Sequence, residues 1–154
     1  MSVRHVTYEV QGWGTGELVF EDGRLAWHEL PRAAVKAEAD GDDSLAERVV
    51  AYFAGSRDSF ADVELDLDEM TDFERSALEA MRAIPYGETA TYAEVAAAAG
   101  HVNAQRAVGS VCARNRFALV VPCHRIVAAN GLGSYGSLGV EYKQRLLELE
   151  GVAL

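Results

Sequence analysis

The hydrophobic and polar residues of the first thirty positions alternate as they do in β-strands. Apolar side chains recur loosely over residues 3–10, and a glycine-rich segment at 12–16 then breaks the pattern. Two short apolar runs, 18–20 and 25–27, flank Asp22-Gly23, a dipeptide typical of a two-residue hairpin turn. The pattern predicts a strand followed by a hairpin, which together form a small sheet.

Helical spacing of apolar residues begins after a polar segment that ends at Ser44. Ser44 is placed to cap a helix that stops at Gly55. Residues 63–67 then alternate apolar and acidic side chains, which predicts one further strand. We therefore expect residues 1–69 to form a small sheet-containing α+β domain.

The second half of the chain carries the signals of several short helices. Residues 71–74 and 91–94 both fit the capping box that opens a helix. Asn103 is placed to cap a third helix over residues 104–112, and residues 140–150 predict a final one. Two short helices joined by a tight turn are the outline of a helix-turn-helix, although any cluster of three helices offers the same outline.

The charge distribution changes what the composition alone would predict. The net charge of −10 argues against a nucleic-acid-binding protein, because phosphate contacts are made mainly by Lys and Arg. Residues 95–140, however, contain no Asp or Glu and carry four arginines, at positions 106, 114, 116 and 125. This window predicts a face that binds an anionic ligand.

The remaining composition narrows the setting. No apolar run approaches the roughly 18 residues that a membrane span needs, so no membrane partner is expected. The first residues lack the apolar stretch of a signal peptide, which favours a cytoplasmic protein. In a reducing compartment Cys112 and Cys123 would both remain thiols, since two cysteines make no disulfide framework.

The candidate chemistry lies in residues 120–127. Pro122 fixes its own backbone and favours extended geometry before it, so Cys123 would leave an apolar run at a defined position. His124 and Arg125 follow directly, and such neighbours favour the thiolate that makes cysteine a nucleophile. The alternative is that Cys123 is a small buried hydrophobe without reactivity.

Several separated motifs in this half of the chain resemble the O6-alkylguanine-DNA alkyltransferase (methylated-DNA–protein-cysteine methyltransferase) family. The resemblance covers about half of the sequence and rests on the following residues: Pro85-Tyr86-Gly87-Glu88-Thr89, Thr91-Tyr92, Arg106-Ala107-Val108-Gly109, Asn115, Pro122-Cys123-His124-Arg125, Gly131, Tyr135 and Leu146-Leu147. It implies an α+β protein in which an RNase H-like sheet domain, residues 1–69, precedes a winged helix-turn-helix domain, residues 70–154.

The resemblance also implies catalytic roles. Cys123 would accept an alkyl group irreversibly, His124 would deprotonate it through a water, and Glu150 would orient the imidazole. Tyr135 would donate a hydrogen bond toward the departing purine, and Asn115 would tie the recognition helix to the active-site strand. Taken singly, Tyr135 and Glu150 are equally explained as a packing aromatic and an exposed helix charge.

The remaining implied residues contact DNA or the flipped base. Arg106 would fill the gap left by the extruded nucleotide, and Tyr92 would strain the neighbouring phosphate. The implied DNA-binding set is completed by Thr91, Ala107 and Arg114, and the implied guanine pocket by Ile126, Gly133, Ser134 and Ser137. The segment between Tyr135 and the last helix holds one residue more than the family's spacing, so the amide that completes the pocket stays open.

The resemblance implies a monomer that acts on double-stranded DNA containing O6-alkylguanine and needs no cofactor. Some relatives bind a structural zinc in the N-terminal domain through cysteine and histidine, but both cysteines here lie beyond residue 110, so we expect no metal. Two alternatives stay open from the residues themselves. One is a non-catalytic helix-turn-helix protein that binds DNA or recognises lesions, and the other is a hydrolase with a Cys-His pair.

Overall fold

The computed structural model describes residues 2–33 and 43–154. The chain divides into two compact units. The first contains the residues up to Asp66 together with Arg116–Val120, and the second contains Leu67–Asn115 and Val121–Leu154. The fold class is α+β, as the sequence predicts.

The first unit contains a three-stranded antiparallel sheet in the order β1-β2-β3. The strands are β1 (Val3–Val10), β2 (Gly14–Glu21) and β3 (Arg24–Arg32). The predicted hairpin turn at Asp22-Gly23 is confirmed, and both residues have positive φ angles, 50° and 82°. That backbone suits a two-residue turn because its twist matches the twist of the strands.

A helix, α1 (Ser44–Phe53), accompanies the sheet. Its N-cap is Asp43 rather than the predicted Ser44, because the Asp43 carboxylate accepts hydrogen bonds from the amides of Leu45 and Ala46. A carboxylate at this position also interacts favourably with the positive end of the helix dipole.

The predicted strand over residues 63–67 is wrong. Leu65 forms one isolated bridge, in which Leu25 exchanges hydrogen bonds with Glu64 and Asp66. The alternating pattern arises because the Leu65 side chain alone is fully buried, while its neighbours reach solvent to different extents. The alternation of apolar and acidic residues over 63–67 therefore reflects one buried contact and not a paired strand.

The second unit is mainly helical. Its helices are α2 (Asp72–Arg82), α3 (Tyr92–Ala98), α4 (Gln105–Ala113) and α5 (Val140–Leu149), and two short strands, β4 (Ala90–Thr91) and β5 (Ile126–Val127), pair in parallel. Both predicted capping boxes are confirmed: the hydroxyls of Thr71 and Thr91 accept from the backbone three residues on, and the glutamates there return the bond. Among the described residues, no helix combines the length and apolarity needed to cross a bilayer.

Helices α3 and α4 pack against each other and against α2. The turn between them passes through Gly100 and Asn103, both in the left-handed region with φ of 85° and 71°. The prediction that Asn103 caps α4 is wrong, since Ala104 holds the cap position without a side-chain hydrogen bond. Asn103 instead makes the left-handed turn that asparagine tolerates better than most residues.

Candidate active site

Cys123 begins a short 3₁₀ turn, Cys123–Arg125, directly before β5. The turn is closed by backbone hydrogen bonds from the amide of Cys123 to Val121 (2.8 Å) and from Arg125 to Pro122 (2.9 Å). The Cys123 residue is 6% exposed. The apolar run and the proline thus hold the thiol in a rigid, nearly buried place.

The groups around the Cys123 sulfur act on its ionisation in opposite directions. The hydrogen bond with the Cys112 thiol and burial raise the pKa of Cys123 well above its ordinary value, whereas Asn115 and the charge of Lys143 oppose them. Asn115 Nδ2 donates to the sulfur at 3.2 Å and to the carbonyl of Val121 at 3.1 Å. In the resting protein Cys123 is therefore a protonated thiol, and a base is needed to activate it.

His124 and Glu150 lie behind the cysteine as a fully buried pair. The His124 Nε2 atom lies 2.7 Å from Glu150 Oε2. Burial lowers the pKa of His124, although the hydrogen bond to Glu150 opposes the change. A neutral imidazole that donates Nε2–H to Glu150 carries its free lone pair on Nδ1. Within the described part of the chain, Nδ1 is buried and has no hydrogen-bond partner.

Glu150 also accepts hydrogen bonds from a buried arginine. Arg125 donates to it from Nε at 2.8 Å and from Nη2 at 3.0 Å, while Nη1 donates to the carbonyl of Ile84 at 2.8 Å. The amide of Gly87 adds a fourth hydrogen bond to this carboxylate, at 3.0 Å. Arg125 is therefore part of the buried support of the site and is not an exposed arginine of the acid-free window.

Lys143, on α5, is a functional residue that the sequence reading missed. Its side chain is fully buried, and Nζ donates to the carbonyls of Ile126 and Ser134, the latter at 3.2 Å. The ammonium also lies 6.0 Å from the centre of the Tyr92 ring. Burial lowers the pKa of Lys143, while both cysteines oppose the change. A lone lysine in an amphipathic helix gives no sequence signal of such burial.

A cavity of about 140 Å³ opens onto the cysteine. It is lined by Tyr92, Gly109, Cys112, Ala113, Cys123, Ser134, Tyr135 and Gly136. Burial raises the pKa values of both tyrosine hydroxyls, that of Tyr135 well above its usual range, so both remain protonated donors. A Cβ atom at Gly133 would make an ordinary contact of 3.4 Å with the Tyr92 oxygen, but the φ of 77° at this position favours glycine.

A second, larger depression of about 520 Å³ follows the exposed side of α4. We call it the α4 groove, and it is lined by Tyr92, Gln105, Arg106, Gly109, Ser110, Ala113, Gly133 and Ser134. Tyr92, Gly109, Ala113 and Ser134 also line the cavity, so groove and cavity are neighbours. Arg106 is exposed here, and Arg114 is exposed at the end of the same helix.

The structure thus brings most of the predicted site residues together and leaves a few apart. Thr91 is the cap of α3, and its oxygen accepts from the Glu94 amide. Ala107 is exposed on α4, while Ser137 is exposed in the turn Gly136–Leu138, and neither lines the cavity or the α4 groove. Over residues 2–33 and 43–154, no three His, Cys, Asp or Glu side chains are grouped so that they could hold a metal ion.

The fold and the site together define a class: a protein with a nearly buried cysteine in a cavity of a helical unit, next to a groove with an exposed arginine. Residues 72–152 match the family described as 6-O-methylguanine DNA methyltransferase, DNA binding domain. With this match, which spans half of the sequence, the chain belongs to the 6-O-methylguanine DNA methyltransferase family.

Relatives and solved structures agree with this assignment. A methylated-DNA–protein-cysteine methyltransferase from Mycolicibacterium paratuberculosis is 44% identical over 132 residues, covering 85% of this chain and 73% of that protein. The one from Metallosphaera sedula is 36% identical over 97% of this chain and 94% of its own length.

Among solved structures, the Mycobacterium tuberculosis O6-methylguanine methyltransferase superposes with a TM-score of 0.83 at 32% identity, covering 99% of this chain and 96% of that one. Mycobacterium tuberculosis OGT in complex with DNA gives 0.81 at 34% identity, covering 96% and 92%.

Proposed function

We propose that this protein repairs double-stranded DNA by moving the alkyl group of O6-alkylguanine onto its own Cys123. The observation that carries the proposal is the position of the Cys123 sulfur, which lines the cavity and receives a hydrogen bond from Asn115. The next residue in the chain, His124, forms a buried pair with Glu150. The relatives named above as methyltransferases of protein cysteine, and the one solved with DNA, support the same activity.

His124 supplies the base for thiol activation. Its Nδ1 atom is buried and unpartnered within the described residues, and we infer that it takes the Cys123 proton through a water. The imidazolium that forms is stabilised by Glu150, which holds it in the required tautomer. The thiolate left behind keeps the Asn115 hydrogen bond and the nearby positive charge of Lys143.

The transfer itself is a displacement at the alkyl carbon. The sulfur forms a bond to carbon while the bond from carbon to guanine O6 breaks, and the electron pair moves onto the purine. The protonated Tyr135 hydroxyl is a donor that can stabilise this charge. The product is a stable thioether, so each protein molecule accepts one alkyl group and is not regenerated.

We assign the guanine pocket to the segment between β5 and α5. The carbonyl of Ile126 already accepts from Lys143, and its second lone pair remains for the exocyclic amine of guanine. Ser134 lines both the cavity and the α4 groove, Gly133 lines the groove, and Ser137 follows in the next turn. Lys143 holds the Ile126 and Ser134 carbonyls in place, which fixes the two sides of this pocket.

We further propose that residues 70–154 form a winged helix-turn-helix domain, with α4 as the helix that enters a groove of DNA, and that residues 1–69 form an RNase H-like domain. The packing of α3 on α4 across the Gly100 turn supports the first assignment. Extruding the target nucleotide costs a few kcal/mol. The exposed Arg106 would offset that cost by replacing the lost stacking.

The neighbours of Arg106 complete this surface. Tyr92 lies where groove and cavity meet, suited to guiding the nucleotide from one to the other. Thr91 fixes the start of α3, and Ala107 and Arg114 present an apolar contact and a phosphate contact from exposed positions on α4. Because the chemical groups all belong to one unit of one chain, we take the acting form to be a cytoplasmic monomer without a cofactor.

The experiment is a mass measurement on the intact protein after incubation with an excess of duplex containing O6-methylguanine. We expect the mass to rise by one methyl group and the DNA to regain guanine. Cys123→Ala is the matched variant, which we expect to bind the duplex with similar affinity and gain no mass. If the wild-type protein binds the duplex but its mass stays unchanged and the DNA keeps O6-methylguanine, the protein recognises the lesion without repairing it.

A further inference from the structure

The cavity contains two thiols, and the proposed repair reaction uses only one of them. Cys112, in the last turn of α4, and Cys123 both line it. Both are free cysteines, and each thiol shifts the pKa of the other. Cys112 is only partly buried, so the pair is reachable by a molecule as small as a peroxide.

We propose that Cys112 is a resolving thiol that forms a reversible disulfide with Cys123 when the protein meets a peroxide. This inference rests on the proposed function, because it describes a regulated state of the same alkyl acceptor. In the disulfide state the Cys123 sulfur is bonded to the Cys112 sulfur. It therefore cannot form the thiolate that attacks an alkyl carbon. The modification would therefore switch repair off until a thiol reductant restores it.

The chemistry balances with a peroxide as the oxidant. Cys123, deprotonated by His124, attacks the O–O bond, forming a sulfenic acid and releasing hydroxide, which takes up that proton to become water. The second thiol loses its proton and attacks the sulfenic sulfur, forming the S–S bond and expelling the oxygen as a second water. Two thiols and one peroxide thus give one disulfide and two waters, with sulfur oxidised and peroxide reduced.

The arrangement favours this outcome over further oxidation. A sulfenic acid without a neighbouring thiol proceeds to sulfinic acid, which ordinary thiols do not reduce. Here both cysteines line the same cavity of about 140 Å³, so the Cys112 thiol can reach a sulfenic acid on Cys123 before a second peroxide does. Cys112 is suited to the second step, because its lowered pKa favours the thiolate that attacks the sulfenic sulfur.

The test treats reduced full-length protein with hydrogen peroxide and maps its cysteine peptides without a reductant. We expect a peptide pair joining Cys112 to Cys123, with a mass lower by two hydrogen atoms. Methyl transfer from O6-methylguanine duplex is measured before peroxide, after peroxide and after dithiothreitol, each relative to the protein's own reduced activity. Wild type should lose most of its activity and regain most of it.

Two variants separate a resolving thiol from a bystander. Cys112→Ser should lose activity to peroxide and regain less than half, because Cys123 is carried on to sulfinic acid. Ser56→Ala, at an exposed position in the first unit, should behave as wild type. The inference is overturned if an active wild-type protein gains oxygen on Cys123 without the cross-link, or if Cys112→Ser recovers as fully as wild type. A reduced protein that accepts no methyl group would instead overturn the proposed function. The cross-link is detected by peptide mass, so its presence or absence does not depend on methyl transfer.

Discussion

His124 and Glu150, which are 26 positions apart in the sequence, meet at 2.7 Å with neither side chain exposed to solvent. The same carboxylate receives two hydrogen bonds from Arg125. One acidic side chain therefore holds the imidazole that we propose as the general base and neutralises a buried guanidinium. Loss of that carboxylate should affect both the chemistry and the stability of the unit.

Glu150→Gln tests this double role. The amide keeps the shape of the side chain but leaves the charge of Arg125 without compensation, a change that typically destabilises a protein by about 3–5 kcal/mol. It also removes the charge that stabilises the imidazolium, so we expect single-turnover transfer to slow by about tenfold or more. Chemical unfolding and a rapid-quench transfer assay measure the two effects.

The control for Glu150→Gln is Glu148→Gln, at an exposed position on α5 two residues earlier. It should change neither the free energy of unfolding nor the transfer rate appreciably. Equal behaviour of the two variants would contradict the role given to the buried carboxylate.

The pH dependence of transfer follows from the lowered pKa of His124. The base must be neutral to accept the thiol proton, so the rate falls when the imidazole is protonated. Because burial lowers that pKa, the fall should begin below pH 6.5, the ordinary value, and the rate should stay level from there to about pH 8. Single-turnover rates across this range measure the profile.

His124→Gln should remove that plateau. Without the base, the Cys123 thiol must ionise by itself, and its raised pKa makes the rate climb with pH throughout the range. We expect a loss of about 100-fold or more near neutral pH. A variant with a wild-type profile would show that His124 is not the base.

Arg106→Ala should separate nucleotide extrusion from chemistry. The side chain is exposed in the α4 groove and has no part in the contacts around Cys123. We expect transfer from duplex to slow by about tenfold or more, because Arg106 no longer offsets the few kcal/mol that extruding the nucleotide costs. Transfer from free O6-methylguanine should be unchanged, and the salt dependence of duplex binding should weaken by about one phosphate contact. Arg145→Ala, exposed on α5 outside the α4 groove, is the matched control.

A histidine in the first unit makes stability depend on pH. His28 is 3% exposed, contacts the Tyr8 hydroxyl at 2.6 Å, and directs Nδ1 to the carbonyl of Ala118. Burial lowers the pKa of His28 from 6.5 to about 4, although the bond to Ala118 opposes the change. The unfolded chain therefore binds a proton in a range where the folded chain does not.

The stability contributed by neutral His28 is present above pH 6.5 and is lost as the pH falls toward 4. The loss should reach roughly 3 kcal/mol, about 1.4 kcal/mol for each pKa unit. Urea unfolding at a series of pH values measures it. His28→Gln should flatten the dependence over this interval, while His5→Gln, at an exposed position on β1, should leave it in place.

Local signals account for the part of the fold that the sequence predicts well. The two capping boxes and the Asp22-Gly23 turn each depend on residues within four positions of one another, so their geometry is decided by the local sequence. The caps predicted at Ser44 and Asn103 are wrong for two local reasons. Asp43, next to Ser44, is the better hydrogen-bond acceptor, and Asn103 adopts a left-handed turn.

The support of the candidate site is the part that sequence reasoning could not supply. His124 and Arg125 from one segment and Gly87 from another all bind Glu150, and no periodicity in the sequence predicts these contacts. The sequence does not distinguish Lys143 from an exposed lysine on a helix, although its side chain is fully buried. The motif at Cys123 predicts which atom reacts, whereas the groups that tune the reaction are set by tertiary packing.

The most direct test of the central claim is to locate the transferred methyl group. Two cysteines line the cavity, so digestion of the protein after incubation with O6-methylguanine duplex separates the peptide of Cys112 from that of Cys123. We predict one methyl group per chain, carried entirely by the sulfur of Cys123. A methyl group on Cys112, on both cysteines, or on neither would contradict the account.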